Sequence, residues 1–93
     1  SNRYRAVRAR VGKSLLPSGI IAVEGDFHVG DPILCLDTAG KVLAKGLTNY
    51  GAEEIGKIMG LKTSKIQQVL GYKDYDEVIH RDNMAVDKEL QHK

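Results

Sequence analysis

The chain has 93 residues, of which 42% are hydrophobic and 28% are charged, and its formal net charge is +2. This composition is typical of one globular domain with a modest core and excludes a disordered chain. No apolar run approaches the roughly 20 residues needed to cross a bilayer, and the N-terminus lacks the apolar segment of a secretion signal. We therefore expect a cytoplasmic protein with no membrane partner. The single cysteine, Cys35, lies in an apolar run and is predicted to be a buried strand thiol.

Basic residues are concentrated at the N-terminus. Five cations precede the first acidic residue, Glu24, and they are Arg3, Arg5, Arg8, Arg10 and Lys13. A segregated basic end is a candidate binding surface for nucleic acid or an acidic partner, but it is also compatible with a solvated helix face.

Residues 3–11 are predicted to form a short amphipathic helix. Tyr4, Val7 and Val11 fall at positions i, i+3 and i+7 on one stripe, with arginines on its flanks. A strand remains an alternative, because residues 5, 7, 9 and 11 also alternate in the manner of a β-strand.

Residues 13–20 predict a sharp reversal between this lead-in and a β-rich body. Pro17 fixes φ and lacks an N–H group. Gly19 is free to take a positive φ, and its missing side chain also lets a backbone or a ligand approach closely.

Three short strands are predicted in the body, over residues 20–23, 33–36 and 42–44, with the last running to the neighbourhood of Tyr50. Asp37–Gly40 reads as the hairpin turn between the second and third. Phe27 precedes the second strand and is expected to anchor its bend in the core.

The second half predicts two helices and a final strand. The first spans residues 52–59 and ends at Gly60; the second begins with a capping box over residues 64–67 and ends at Gly71. A last strand is predicted at 77–80, with a continuation at 84–86, and residues 87–93 read as a frayed tail. The expected fold class is α+β, mainly β: an antiparallel barrel-like sheet with short helices at its ends.

No catalytic constellation is predicted. Gly12-Lys13-Ser14 resembles the end of a phosphate-binding loop, but Val7 stands where that motif needs glycine. His80-Arg81-Asp82 resembles a kinase catalytic loop, but Asp87 replaces its asparagine. The histidines lack ligand-like spacing, so we predict no metal site and no cofactor within these residues.

One candidate binding surface remains. If the last predicted strand returns beside the Pro17 turn, polar groups from both segments would line one concave surface, and a hydrogen-bond cluster closing the barrel is the alternative. The candidate residues are Lys13, Ser14, Gly19, His80, Arg81 and Asn83.

Four ordered motifs carry a resemblance to a known family. They are Lys13–Ile20, Val23–Phe27 followed by Gly30-Asp31, Ala44–Tyr50, and Glu77–Asn83. Over roughly residues 6–86 the chain resembles the C-terminal domain of bacterial glutamate 5-kinase, which is similar to the PUA domain, a pseudobarrel of pseudouridine synthases and archaeosine transglycosylases. The domain is expected to span residues 1–86.

The chain departs from that family at two places. The family usually has a strand ahead of its first helix, whereas this chain begins at about that helix, so either the first strand is missing or the N-terminal residues do a different job. A missing strand would leave an open edge. Gly51-Ala52 also replaces the usual pair of serines, and glycine is a tolerable helix cap.

The resemblance implies a parent enzyme that phosphorylates the γ-carboxylate of glutamate with ATP and Mg²⁺, in proline biosynthesis. Its amino-acid kinase domain would precede residue 1 and would be the partner of this domain, which is not expected to turn over glutamate by itself. An accessory or regulatory role follows, with a homo-oligomer as a further expectation. The alternative is an RNA-binding module that presents residues 13–19 and 80–83 to RNA.

Overall fold

The computed structural model describes residues 5–86, which form a five-stranded sheet and two short α-helices. The strands are β1 (Ala6–Ala9), β2 (Ile20–Glu24), β3 (Pro32–Leu36), β4 (Val42–Leu47) and β5 (Met84–Val86). The helices are α1 (Ala52–Ile58) and α2 (Ile66–Leu70), and single 3₁₀ turns cover Pro17–Gly19, Thr63–Lys65 and Arg81–Asn83. The expected α+β, mainly β class is confirmed.

The sheet has the strand order β2-β1-β3-β4-β5. Neighbouring strands are antiparallel except β1 and β3, which are parallel, so the sheet is mixed rather than purely antiparallel as predicted. The parallel pair arises because β1 is inserted between β2 and β3, which follow each other along the chain and run in opposite directions. This arrangement agrees with a PUA-like pseudobarrel.

The helix predicted over residues 3–11 is wrong, and its alternative is confirmed by β1. Val7 and Ala9 are buried and belong to the core cluster, as the alternating pattern requires. A strand in this position forms backbone hydrogen bonds with both β2 and β3. A short helix with a weak apolar stripe would lose these bonds between strands. Residues 1–4 lie outside the described residues. The expectation that the family's first strand is missing therefore stays a prediction.

The core lies between one face of the sheet and the two helices. Phe27 and Cys35 are buried there, as predicted. The full cluster consists of Val7, Ala9, Leu15, Ile20, Phe27, Ile33, Cys35, Ala44, Tyr50, Ile55, Ile58, Ile66, Val78 and Ile79.

The turns follow the predicted chemistry in most places. Gly40 has a φ of 90°, and the Asp37 carboxylate accepts from the backbone N–H groups of Ala39 and Lys41 at 2.9 Å, which confirms the hairpin. Gly51 caps α1, and its backbone N–H donates to Glu54 Oε1 at 2.8 Å.

The predicted capping box over residues 64–67 is wrong. Residues Thr63–Lys65 form a 3₁₀ turn that leads into α2, and no side chain caps either element. The Thr63 hydroxyl instead donates to the carbonyl oxygen of Asp76 at 3.4 Å, which links the turn to a distant loop. Gly71 ends α2 with a φ of 88°, as predicted.

The strand predicted at 77–80 is reduced to one isolated β-bridge between Ile79 and Leu15. The 3₁₀ turn Arg81–Asn83 interrupts the backbone there, and the strand β5 forms only after it, where the continuation was predicted. The tail predicted over residues 87–93 lies outside the described residues. Within residues 5–86, no helix is long and apolar enough to cross a membrane.

Candidate functional site

The two segments of the predicted binding surface meet through their backbones. The Leu15 N–H donates to the carbonyl oxygen of Ile79 at 3.0 Å, and the Val78 N–H donates to the carbonyl oxygen of Leu15 at 2.7 Å. Leu15, Val78 and Ile79 are all fully buried, so this junction is fixed by the core. The turn at 13–19 and the segment at 80–83 therefore project from one rigid base.

The predicted side chains around this junction differ in exposure. Lys13, Arg81 and Asn83 are exposed, whereas Ser14 and His80 are half-buried. Among residues 5–86, no side-chain hydrogen bond or ion pair joins the 13–19 turn to the 80–83 segment. The assignment of these residues as a ligand surface stays a prediction.

His80 has a defined structural role. Its Nδ1 accepts from the backbone N–H of Asp82 at 3.1 Å and so caps the 3₁₀ turn Arg81–Asn83. The carboxylates of Asp82 and Glu77 lie 3.5 Å and 4.0 Å from the imidazole nitrogens. Two acidic groups thus stand beside the basic residues of this surface, and they weaken its attraction for a polyanion.

Gly19 serves chain packing rather than a positive φ. It ends the 3₁₀ turn that follows Leu16, and it is absent from the glycines of positive φ among residues 5–86. A β-carbon at this position would lie 2.7 Å from the carbonyl oxygen of Arg10. The Arg10 N–H in turn donates to the Gly19 carbonyl oxygen at 2.9 Å. The approaching group is therefore the end of β1, one of the two possibilities that the sequence left open.

Asn83 borders a different concavity, which we call the outer cleft. Its volume is about 450 Å³, and it lies along the ends of β4 and β5. Its lining residues are Pro32, Lys45, Gly46, Leu47, Asp82, Asn83, Met84 and Ala85. Most of these residues were not predicted as site residues, because they come from three separate segments that only the sheet brings together.

A second concavity, the acidic cleft, has a volume of about 350 Å³ and lies at the start of α1. Its lining includes Asp26, His28, Glu53, Glu54 and Tyr72. The Tyr72 hydroxyl donates to the Glu54 carboxylate, and this hydrogen bond raises the pKa of Tyr72 to about 12. Sequence reasoning missed this cleft, since Tyr72 is 18 residues away from its partner.

Tyr50 fixes the loop that carries the chain from α2 to the bridge at Ile79. Its hydroxyl donates to the carbonyl oxygen of Tyr75 and accepts from the Tyr75 N–H at 3.0 Å, and the two rings meet edge to face with centroids 6.4 Å apart. Removal from water raises the pKa of Tyr50. Burial raises the pKa of the Cys35 thiol to about 12, so Cys35 is held as an unreactive thiol.

The two buried ionisable groups of the described residues are held protonated at neutral pH. The buried ionisable groups, Tyr50 and Cys35, have pKa values shifted away from neutrality, which is the opposite of what a nucleophile or a general base needs. Within residues 5–86, no three His, Cys, Asp or Glu side chains are grouped so as to hold a metal ion. The described residues instead form two concave surfaces, the outer cleft and the acidic cleft.

The sequence profile of the PUA domain matches residues 3–70, and the fold described above agrees with it. The chain therefore belongs to the PUA domain family. Over 75 residues it is 73% identical to the glutamate 5-kinase of Syntrophus aciditrophicus, 57% identical to that of Saccharophagus degradans and 56% identical to that of Moorella thermoacetica. Each match covers 81% of this chain but only 20% of the relative, so the chain spans about a fifth of the length of these proteins.

Proposed function

We propose that this chain is the accessory domain of a glutamate 5-kinase and serves the assembly or regulation of that enzyme. The 73% identity over 75 residues is the observation that carries the proposal. The parent protein would phosphorylate glutamate with ATP and Mg²⁺ in the first step of proline biosynthesis, in the cytoplasm. Its amino-acid kinase domain would precede residue 1 and would hold the nucleotide, the metal ion and the substrate.

The chemistry of the described residues supports a role without catalysis. Their concave surfaces lack a paired nucleophile and base, and their buried thiol is protonated at neutral pH. An ATP-dependent transfer to a carboxylate needs groups that bind phosphate and metal at the reacting atoms. Those groups would come from the preceding domain.

This proposal is tested by assaying glutamate-dependent ATP turnover in the natural full-length chain and in residues 1–93 alone. We expect turnover by the full-length chain and none by residues 1–93. A full-length chain that lacks glutamate kinase activity under conditions in which it is folded would contradict the proposal.

RNA binding is the less favoured alternative. The exposed Lys13 and Arg81 would face phosphates, but Asp82 and Glu77 stand beside His80 in the same segment as Arg81, and the chain has few aromatic side chains for stacking bases. We expect no salt-sensitive RNA binding at micromolar protein concentration, measured by titration with single-stranded and structured RNA at two salt concentrations. Binding that weakens steeply with salt, and that Lys13→Ala or Arg81→Ala abolishes, would make RNA the ligand.

A further inference from the structure

The outer cleft is the centre of an apolar area on the face of the sheet that points away from the core. Pro32 on β3 pairs directly with Leu47 on β4, and Lys45 on β4 pairs with Ala85 on β5. Directly paired residues place their side chains on the same face of a sheet. Since their neighbours Ile33 and Ala44 face the core, these four side chains face outwards.

This area is exposed in the chain as described. Leu47 has 47% of its surface accessible, and its neighbours Pro32, Lys45 and Ala85 on this face are exposed as well. A large exposed aliphatic side chain that borders a mainly apolar concavity is a feature of interaction surfaces. The outer cleft is open and shallow, which suits contact with another protein surface.

The path of the chain indicates what that partner is. The backbone carbonyl of Arg5 accepts from the Leu34 N–H at 2.9 Å, and the Arg5 guanidinium lies 3.8 Å from the Asp31 carboxylate. The described chain therefore begins beside the start of β3, where Pro32 borders the outer cleft. A domain that precedes this point in the same polypeptide is held at high local concentration next to this face.

The charges around the outer cleft suit a protein surface. Lys45 and Asp82 both line the outer cleft and are both exposed, so charges of both signs are present. Mixed charges beside apolar side chains are typical of contacts between domains, whereas a nucleic-acid surface is predominantly basic. The relatives matched by this chain are about four times its length, so they contain a further domain that can provide this contact.

We propose that the outer cleft is the docking face for the domain that precedes residue 1 in the longer chain. This inference rests on the proposed function, since the occupant is the amino-acid kinase domain of the same polypeptide. Docking would bury Leu47 and fix the orientation of the accessory domain relative to the catalytic one. An exposed apolar area would thereby become an intramolecular interface.

Thiol labelling in the natural full-length chain tests the proposal. Leu47→Cys places a thiol in the docking face, and Ile21→Cys places one on β2, at the opposite edge of the sheet, where the native side chain is similarly exposed at 51%. Each site is followed by mass spectrometry of its own peptide after a maleimide pulse. Cys35 contributes little background, because it is buried and protonated.

We expect the Leu47→Cys thiol to react at least roughly tenfold more slowly than the Ile21→Cys thiol, because docking must open before the reagent enters. Equal labelling rates would overturn the docking proposal. Glutamate kinase activity is measured on the same samples, so that an active enzyme with equal rates overturns docking alone, whereas an inactive folded chain overturns the proposed function.

A photo-crosslinking residue at position 47 of the full-length chain identifies the occupant. We expect a crosslink within one chain, to a peptide of the preceding domain. Mixing isotopically light and heavy chains distinguishes this product from a crosslink between two copies. A light–heavy product that joins two outer clefts would overturn the proposal in favour of a homo-oligomer contact.

Discussion

Gly46 shows how one missing side chain allows two parts of the fold to meet. It lies on β4, and a β-carbon there would be 2.6 Å from the carbonyl oxygen of Asn83 and 2.7 Å from Cγ2 of Ile79. Glycine is a poor strand residue on its own, so local propensity gives no reason for it at this position. The reason is the segment from Ile79 to Met84, which crosses directly over the strand.

Gly46→Ala is expected to destabilise the domain by about 1–3 kcal/mol, because the added methyl group must push a backbone segment away. Gly56→Ala is the matched control, since Gly56 is exposed in α1 and a β-carbon there meets no atom within 4 Å. That change should stabilise the domain by about 0.5–1 kcal/mol through helix propensity. Urea unfolding measures both, and a Gly46→Ala protein as stable as the wild type would contradict the described approach.

The Cys35 thiol predicts a dependence of stability on alkaline pH. Its pKa in the folded protein is about 12, against an ordinary value of 9.0. Between these values the unfolded chain loses the proton and the folded chain keeps it, so the free energy of unfolding falls as pH rises, by up to about 1.4 kcal/mol per pH unit.

Replacing this thiol isolates its contribution. In Cys35→Ala the slope between pH 8.5 and 10 should be shallower than in the wild type, although the variant loses about 1 kcal/mol or more at pH 7 to the space left behind. Tyr50 and Tyr72, whose pKa values are also raised, contribute to the slope near pH 10 in both proteins alike, so the difference between the two slopes reports Cys35. Identical slopes in the two proteins would show that the thiol is not shielded from water.

At the scale of elements, β1 explains where sequence reasoning failed. Residues 3–11 fit two periodicities, and neither pattern is decisive over so short a span. The strand forms because β2 and β3 provide hydrogen-bond partners on both sides, a tertiary effect that the segment itself does not encode. Elements with one dominant pattern, such as β3 and α1, were predicted correctly.

The loop between α2 and Ile79 is another element held by distant contacts. Tyr50→Phe removes a buried hydroxyl that bonds both the N–H and the carbonyl oxygen of Tyr75, and we expect a loss of about 1–3 kcal/mol. Tyr72→Phe removes an exposed hydroxyl, and its effect on stability should be clearly smaller. Thermal unfolding compares the two variants, and hydrogen exchange should show faster exchange around Tyr75 only in Tyr50→Phe. Equal effects would contradict the role given to Tyr50.

At the scale of the whole molecule, the fold class and most elements could be predicted from the sequence, because turns such as Asp37–Gly40 and apolar runs such as 33–36 are local signals. The candidate surfaces were less accessible to such reasoning. The outer cleft combines residues 32, 45–47 and 82–85, which no spacing rule connects. The contact between the 13–19 turn and the last segment was a conditional hypothesis drawn from the polar residues that remained after the catalytic motifs were excluded, and the structure shows a backbone bridge between the two segments at Leu15 and Ile79.

The accessory role predicts a division of labour across the longer chain. If the described domain supplies a docked surface and no reacting group, its removal should leave the chemical step largely intact. It should change the properties that depend on how domains and subunits are arranged. Such properties are the number of subunits in the assembly and the thermal stability of the remaining enzyme.

Deleting the region equivalent to residues 1–86 from the natural full-length chain is the most direct test of this account. Glutamate-dependent ATP turnover is measured on the same sample as the number of subunits, calculated from the mass in solution, and the unfolding temperature. We expect turnover to stay within about tenfold of the full-length enzyme, with a change in the number of subunits per particle or in stability. A truncated enzyme that is folded and keeps the same number of subunits, but has lost all turnover, would contradict an accessory role and place a catalytic group within this domain.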